Sequence, residues 1–285
     1  MATITYHAPA KINLSLDILR KRRDGYHDLK MVLQSISLWD IVTLETGTGT
    51  GITVKTDLPY LPCDDRNIAA RAAKIFFEET GLPSDGLAIT IEKHIPVCAG
   101  LGGGSTDGAA VLKGLRELYV PLLPREILED IASKVGSDVP YCVRGGTVLA
   151  EGRGERMTTQ PSLPPCFAVI CKPEFSISTP ELFGQVVVSK LPCHPDTRGL
   201  LRAIALGDLD GAAHRMYNVF EDVLPPKYRE VFEIKSKLLD FGAQGAVMTG
   251  SGSAVFGLFR EETAAQQAYA ALSDSYPQTF LAKTL

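Results

Sequence analysis

The stretch PVCAGLGGGSTDGAA, residues 96–110, holds five glycines, four of them between Gly100 and Gly104. Glycine loses more backbone freedom on folding than any other residue, so a cluster of this kind is costly to order and needs a reason. Before it stands GLAITIEK, residues 86–93, whose β-branched alternation reads as a strand; after it, residues 105–118 read as an Ala-rich helix. Strand, glycines and helix together make an anion site. Bare N–H groups close on phosphate oxygens, and the helix dipole adds favourable potential. Taken alone, the same glycines would also suit a tight turn at positive φ, the lesser of the two readings. Two familiar phosphate loops fail on their letters: no G-x-x-x-x-G-K-[ST] occurs, and G-x-G-x-x-G breaks at Ser105 and at Asp107. The expectation is a phosphate cradle of another kind, kept bare so that backbone amides wrap the ligand.

At 285 residues the chain is long for one core, and two domains are expected, divided at the Pro-rich residues 158–166 into 1–160 and 161–285. With 45% hydrophobic and 22% charged residues it reads as globular rather than disordered. The net charge of −4 leaves no global basic field for gripping nucleic acid, so no nucleic-acid partner is expected. Cys63, Cys98, Cys142, Cys166, Cys171 and Cys193 form no C-x-x-C and no zinc-spaced cluster, and read as small buried hydrophobes of a reducing compartment. No leader segment is expected ahead of Ile4. The charge-free residues 241–259 carry five glycines and Gln244, Thr249, Ser251 and Ser253, too broken for a membrane helix. A soluble, cytoplasmic protein without membrane contact follows.

Working outward, TITYHA, INLSLDIL, MVLQSISL and DIVTLE read as strands in the first third, and residues 67–80 as a helix stopped by Gly81. Pro124 opens a helix that Gly136 ends, and YCVRGGTVLAEG, residues 141–152, reads as strand or hairpin. Beyond the Pro-rich break come a strand FAVICK, helices over 180–224, and a helix carrying Val231, Ile234 and Leu238. A glycine-rich hairpin GAVMTGSGSAVFGLF, an Ala-rich helix and a last strand TFLAKTL complete the chain. The TGSGS turn either closes a hairpin or must approach another backbone or a ligand closely.

APAKINLSLDI, PVCAGLGGGSTDGAAVL and MTGSGSAVFGLF resemble, in order, the three motifs of the galactokinase, homoserine kinase, mevalonate kinase and phosphomevalonate kinase (GHMP) superfamily. RRDGYHDLKMVLQSISLWD, GSDVPYCVRGG and SISTPELF make it similar to the branch acting on cytidine diphosphate methylerythritol in non-mevalonate isoprenoid synthesis. The resemblance implies an α+β fold: an N-terminal ribosomal-protein-like α/β domain, a C-terminal ferredoxin-like α+β domain, and an active site between them. It implies ATP and Mg²⁺ as cofactors and the cytidine diphosphate alcohol as the acceptor.

The same resemblance gives Asp138 the base role, with Lys11 beside it to hold it ionised and to counter charge on the transferring group. A carboxylate is a weak base, so Asp138 would orient the hydroxyl and take its proton late. ATP's phosphates would lie along Pro96, Val97, Cys98, Ala99, Gly100, Leu101, Gly102, Gly103, Gly104, Ser105 and Thr106. Asn67 and Lys93 would border the adenine. For the acceptor, Tyr26 would stack on cytosine, His27 read its edge, Phe183 close the other face with Thr179 before it, and Asn13 bind the methylerythritol hydroxyls. Where many relatives carry a Ser-Ser pair, Gly103-Gly104 offers no hydroxyl; Ser105 is the nearest, and the metal ligands stay unassigned. Two rivals remain at this level. One is another small-molecule kinase of the superfamily, which would leave GYH and SISTPELF unexplained. The other is an RNA-binding or regulatory module that kept the fold, against which the acidic balance and the Lys11/Asp138 pair both count.

Overall fold

The computed structural model describes residues 2–84 and 86–285. Two long strands, β1 (Thr3–Lys21) and β2 (His27–Thr46), each replace two of the short strands expected from sequence. Polar and apolar residues alternate through most of β1, and neither Pro9 nor the Leu38–Trp39 join ends its strand. Asp24-Gly25 does form the turn between them, with Gly25 at φ 86° and the Arg22 N–H donating to the Tyr26 carbonyl at 2.8 Å.

The chain divides into two compact units, and β1 and β2 give one end to each. The first comprises the stretch up to Ala10, Trp39–Val97 and Gly102–Gly145. In it β2 pairs antiparallel with β4 (Leu87–Glu92), from Ile41 opposite Glu92 to Thr46 opposite Leu87, and β4 pairs parallel with β3 (Ile52–Thr56). Leu87, Ile89 and Ile91 point inward at period two, each 1% exposed. Four helices accompany these strands: α1 (Ile68–Thr80), α2 (Gly103–Tyr119), α3 (Arg125–Val135) and α4 (Val139–Arg144). α1 and α2 meet through small residues. A Cβ on Gly104 would stand 3.1 Å from Ile68, and one on Gly108 only 2.8 Å from it. Residues 141–144, read from sequence as strand, are helical. Pro140 sits in the first turn of α4, where a missing N–H costs nothing, and Gly145 at φ 72° ends it.

The second unit comprises Lys11–Leu38, Cys98–Leu101 and Gly146–Leu285, so the Pro-rich residues 158–166 lie within it. β2 pairs here with β5 (Thr147–Gly152), which pairs with β6 (Arg156–Thr159). A four-stranded sheet follows, whose first strand in the chain is β7 (Phe167–Cys171). Between β7 and that sheet's other strands lie α5 (Thr179–Gln185), α6 (Thr197–Ala205), α7 (Leu209–Ala213) and β8 (Tyr217–Asn218), the last pairing parallel with β1 at Ser15 and Leu16. Then come α8 (Glu230–Asp240), β9 (Gly245–Met248), β10 (Val255–Phe259), α9 (Glu262–Ser273) and β11 (Thr279–Lys283). The sheet order is β11-β7-β10-β9, antiparallel throughout, with α8 and α9 packed on it. Apart from the insert after β7, this β-α-β-β-α-β order is the ferredoxin-like arrangement. Its core strand β10 is buried at every position.

Cys142, Cys166 and Cys171 are buried as expected, and burial pushes the Cys166 and Cys171 thiols up to about 11. Cys63, Cys98 and Cys193 are exposed, against the sequence reading; each stands in a loop rather than on an apolar face. Among the described residues no helix is long and apolar enough to cross a membrane.

Candidate active site

β1 changes character at Ala10. Up to that point exposed and half-buried positions alternate; from Ala10 to Ile18 every position is buried. Ile12, Leu14, Leu16 and Ile18 form one face, and Lys11, Asn13, Ser15 and Asp17 the other, none of these four more than 4% exposed. A buried polar face on a strand costs desolvation unless each group is paired, so it marks a built site. Lys11 Nζ donates to Asn13 Oδ1 at 2.7 Å. The Asn13 N–H donates to Thr249 Oγ1 at 3.1 Å, and Thr249 Oγ1 lies 3.3 Å from Asn13 Oδ1 and 3.2 Å from the Gly100 carbonyl. Asn13 Nδ2 is buried and has no hydrogen-bond partner.

The two glycine-rich turns meet backbone to backbone at this cluster. The Lys11 N–H donates to the Leu101 carbonyl at 3.0 Å, and the Ala254 N–H to the Ala99 carbonyl at 3.2 Å. Gly100, at φ 77°, presses on the Thr249 carbonyl so closely that any Cβ would overlap it. A Cβ on Gly250 would stand 3.0 Å from the Gly100 carbonyl oxygen and 3.2 Å from Lys11 Nζ. The close approach foreseen for the TGSGS turn is thus to the other glycine loop. Asn218, at the end of β8, holds that turn by donating Nδ2 to the carbonyls of Met248 and Gly250, at 2.7 and 2.8 Å.

Within residues 96–106 the side chains of Ala99, Leu101 and Thr106 are buried, while Cys98 and Gly104 are exposed and Pro96, Val97, Gly100, Gly102, Gly103 and Ser105 partly so. Cys98, Gly100 and Gly102 have φ of 55°, 77° and 73°, which turns the chain sharply into α2. Gly102 caps α2 with no side-chain hydrogen bond, so the first amides of the helix have no side-chain acceptor. The missing Cβ of Gly103 faces inward, toward Ile95 at 3.2 Å and Lys93 Nζ at 3.4 Å. Packing inside the protein is thus one reason that Gly100 and Gly103 carry no side chain.

Beneath the first turns of α2 lies a buried charge cluster. Lys93 Nζ pairs with Asp107 Oδ2 at 2.7 Å and with Asp40 Oδ2, and the three side chains are 4%, 5% and 0% exposed. Asp40 Oδ1 accepts the N–H groups of His94 and Ile95 at 2.6 and 2.8 Å. Burial pulls the Lys93 ammonium down, but the two carboxylates outweigh it and its pKa rises. Burial pushes Asp107 up to about 7: Lys93 pulls it back, and Asp40 repels. Asp107 Oδ1 has no partner. Lys93 is therefore committed to carboxylates inside the fold, and Asn67 caps α1, its Oδ1 accepting the Ala69 N–H at 2.9 Å. Sequence reasoning missed Asp40, Asp107 and Asn218. A charge in the middle of the apolar strand SISLWDIVTL was the available signal for the first.

Asp138 stands half-buried at the N-terminal cap of α4, at φ −90°. It belongs to the first unit and Lys11 to the second. In the second unit His27 stacks on Phe183, ring centroids 5.0 Å apart and planes 23° from parallel, and Phe183 meets Phe220 edge-on at 4.9 Å. Tyr26 is 53% exposed, with the Arg153 guanidinium 4.0 Å over its ring. Phe183 thus meets His27, the residue expected at the edge of the base. Thr179 and Ser251 join by their hydroxyls at 2.6 Å. Burial lowers the His27 pKa, with Lys21 adding to it, so its imidazole is neutral at neutral pH.

Residues 67–146 match the GHMP kinases N terminal domain and residues 200–278 the GHMP kinases C terminal family. The 4-diphosphocytidyl-2-C-methyl-D-erythritol kinase of Clostridium kluyveri is 43% identical over 98% of this chain and 99% of its own length. That of Clostridium botulinum is 42% identical over the same shares. This chain belongs to that family of GHMP kinases. A crystal structure of 4-(cytidine 5'-diphospho)-2C-methyl-D-erythritol kinase superposes with TM-score 0.84 at 33% identity, over 99% of each chain. Homoserine kinase from Cytophaga hutchinsonii, 20% identical with TM-score 0.78, shares the fold alone. As a GHMP kinase the chain takes ATP as co-substrate.

Proposed function

We propose that the chain transfers the γ-phosphoryl group of ATP to the 2-hydroxyl of 4-(cytidine 5'-diphospho)-2-C-methyl-D-erythritol, in the non-mevalonate route to isopentenyl diphosphate. Near-full-length identity with kinases of that name supports the substrate. The observation that carries the site is the buried polar face of β1, where Asn13 Nδ2 waits unpaired beside Lys11. In this reading Asn13 Nδ2 donates to a hydroxyl of the methylerythritol, a bond that repays its desolvation. Lys11 offsets negative charge on the transferring group, and Asp138 orients the attacking hydroxyl and accepts its proton as the new O–P bond forms.

The amides of Gly103, Gly104 and Ser105, which no side chain caps, hold ATP's phosphates at the start of α2, where the helix dipole favours anions. Neutral His27 offers one ring donor and one acceptor to the cytosine edge, with Tyr26, Phe183 and Thr179 around the base. Among the described residues no three His, Cys, Asp or Glu side chains cluster as a metal cage. Mg²⁺ accordingly enters on the nucleotide's phosphates, with the Ser105 hydroxyl the nearest side-chain oxygen of the loop. The enzyme works on small molecules in the cytoplasm, without nucleic acid.

The test is ATP turnover against a panel of alcohols: the cytidine diphosphate alcohol, its uridine analogue, homoserine and mevalonate. Turnover confined to the cytidine compound is expected. Preferred phosphorylation of homoserine or mevalonate, or RNA retention without turnover, would replace this reading.

A further inference from the structure

The C-terminal half of α2 faces a cavity of about 470 Å³ inside the first unit, within the size range of small-ligand pockets. Three cations line it, Lys113, Arg116 and Arg125, together with Tyr6 and Glu117, against an apolar wall of Pro121, Leu128 and Val143. The carboxylates nearby are already engaged. Glu117 accepts the Tyr6 hydroxyl, and Arg125 lies 3.4 Å from Glu129, which also holds Arg144. The Arg116 side chain makes no hydrogen bond and no ion pair with the described residues. Lys113 reaches one partner, the Cys142 carbonyl at 2.9 Å, which leaves two ammonium hydrogens unspent.

Two neighbouring cations without a carboxylate between them repel, and burial deepens the cost. The Lys113 pKa is lowered chiefly by burial; the Cys142 side chain opposes this and the Arg116 charge adds to it. An anion entering here would relieve both the repulsion and the desolvation. Arg116 presents a planar fork suited to two oxygens of one group, and Lys113 a point charge deeper in.

We propose that this cavity is a second ligand site, for a small organic anion whose phosphate or carboxylate is held by Arg116 and Lys113. The ligand's apolar body lies on Pro121, Leu128 and Val143. α2 begins at the glycine loop and α4, which supplies Val143, begins at Asp138, so the ligand touches the far ends of two helices that carry the kinase residues.

The test is calorimetry on the full chain already saturated with ADP, which blocks the nucleotide site, using phenyl phosphate, benzoate and the neutral benzyl alcohol. Saturable one-to-one binding of at least one anion is expected, and none of the alcohol. Which anion binds tells a phosphoester ligand from a carboxylate. Arg116→Ala, whose side chain makes no bonds to lose, should weaken that anion by about tenfold to a hundredfold, and Arg116→Lys should recover part of it. Lys113→Met should weaken it similarly. No saturable binding of either anion at millimolar concentration, equal binding of benzyl alcohol, or an unchanged Kd in Arg116→Ala overturns the site.

Discussion

Replacing Asp107 with Asn should change how stability depends on pH, because the cluster under α2 holds two carboxylates against one ammonium. Asp107 takes up its proton at about 7 in the folded chain and at 3.8 in the reference state. The folded protein then binds more protons than the unfolded one between those limits, so this group's contribution falls as pH rises through that window and is flat above it. Over the full window the linkage is worth ~4 kcal/mol, and from about pH 5 to about pH 7 some 3 kcal/mol. Asp107→Asn removes it while keeping an oxygen for Lys93, and Asp40 then balances Lys93 one to one. Titrating groups outside the cluster are common to both proteins, so the wild type minus variant difference reads the coupled titration of Asp107, Asp40 and Lys93. Relative to the variant, wild type should lose about 3 kcal/mol between about pH 5 and about pH 8, a melting shift of roughly 5–10 °C. Thermal melts of both proteins across that range measure it. Parallel curves would mean that Asp107 is ionised throughout and that the cluster's charge is balanced in some other way.

Gly100→Ala should lower both stability, by about 2 kcal/mol or more, and turnover, since the new Cβ overlaps the Thr249 carbonyl at positive φ; Gly184→Ala, with open space around it, should do neither. Asp138→Asn should leave the melting temperature nearly unchanged and reduce kcat by roughly 10² to 10⁴, and a variant above half of wild-type kcat would remove Asp138 from the chemistry. His27→Ala should narrow the preference for the cytidine over the uridine diphosphate alcohol, and Tyr26→Ala should weaken both alike, as read by kcat/KM. Selectivity lost in Tyr26→Ala but kept in His27→Ala would reverse those roles.

The ferredoxin-like half was legible because its signals are local: FAVICK, the hairpin around TGSGS and TFLAKTL each carry their strand pattern within a few residues. The first third was less so. Pro9 reads as a break in β1, and for β2 only pairing to β4 on one side of Leu38–Trp39 and to β5 on the other shows that the strand runs on. Tyr141–Arg144 misled because Tyr, Cys and Val favour strands, whereas burial at all five positions from Val139 to Val143 decides for a short helix. At the site, motif residues could be named in advance, but not which of them would touch. That His27 lies on Phe183, or that Thr249 joins Asn13 to Gly100, depends on contacts between residues 156 and 149 to 236 positions apart.

The glycine loop shows why such contacts matter to the chemistry. A loop left bare only for its ligand would be floppy when empty, and ordering it would subtract from the affinity for ATP. Here four of the five bare positions meet something inside the protein: Gly100 the Thr249 carbonyl, Gly103 the ends of Ile95 and Lys93, Gly104 and Gly108 the side chain of Ile68. The chain is thereby ordered in advance, with Ala99, Gly100 and Leu101 held through their carbonyls. The first N–H groups of α2 have no side-chain acceptor, and the helix adds its positive end at the same place. In the reading proposed above, rigidity and room for phosphate, two needs that compete in an open loop, are met by one backbone. A side chain added at Gly100 would push that backbone off the Thr249 carbonyl and disturb the place proposed for the phosphates.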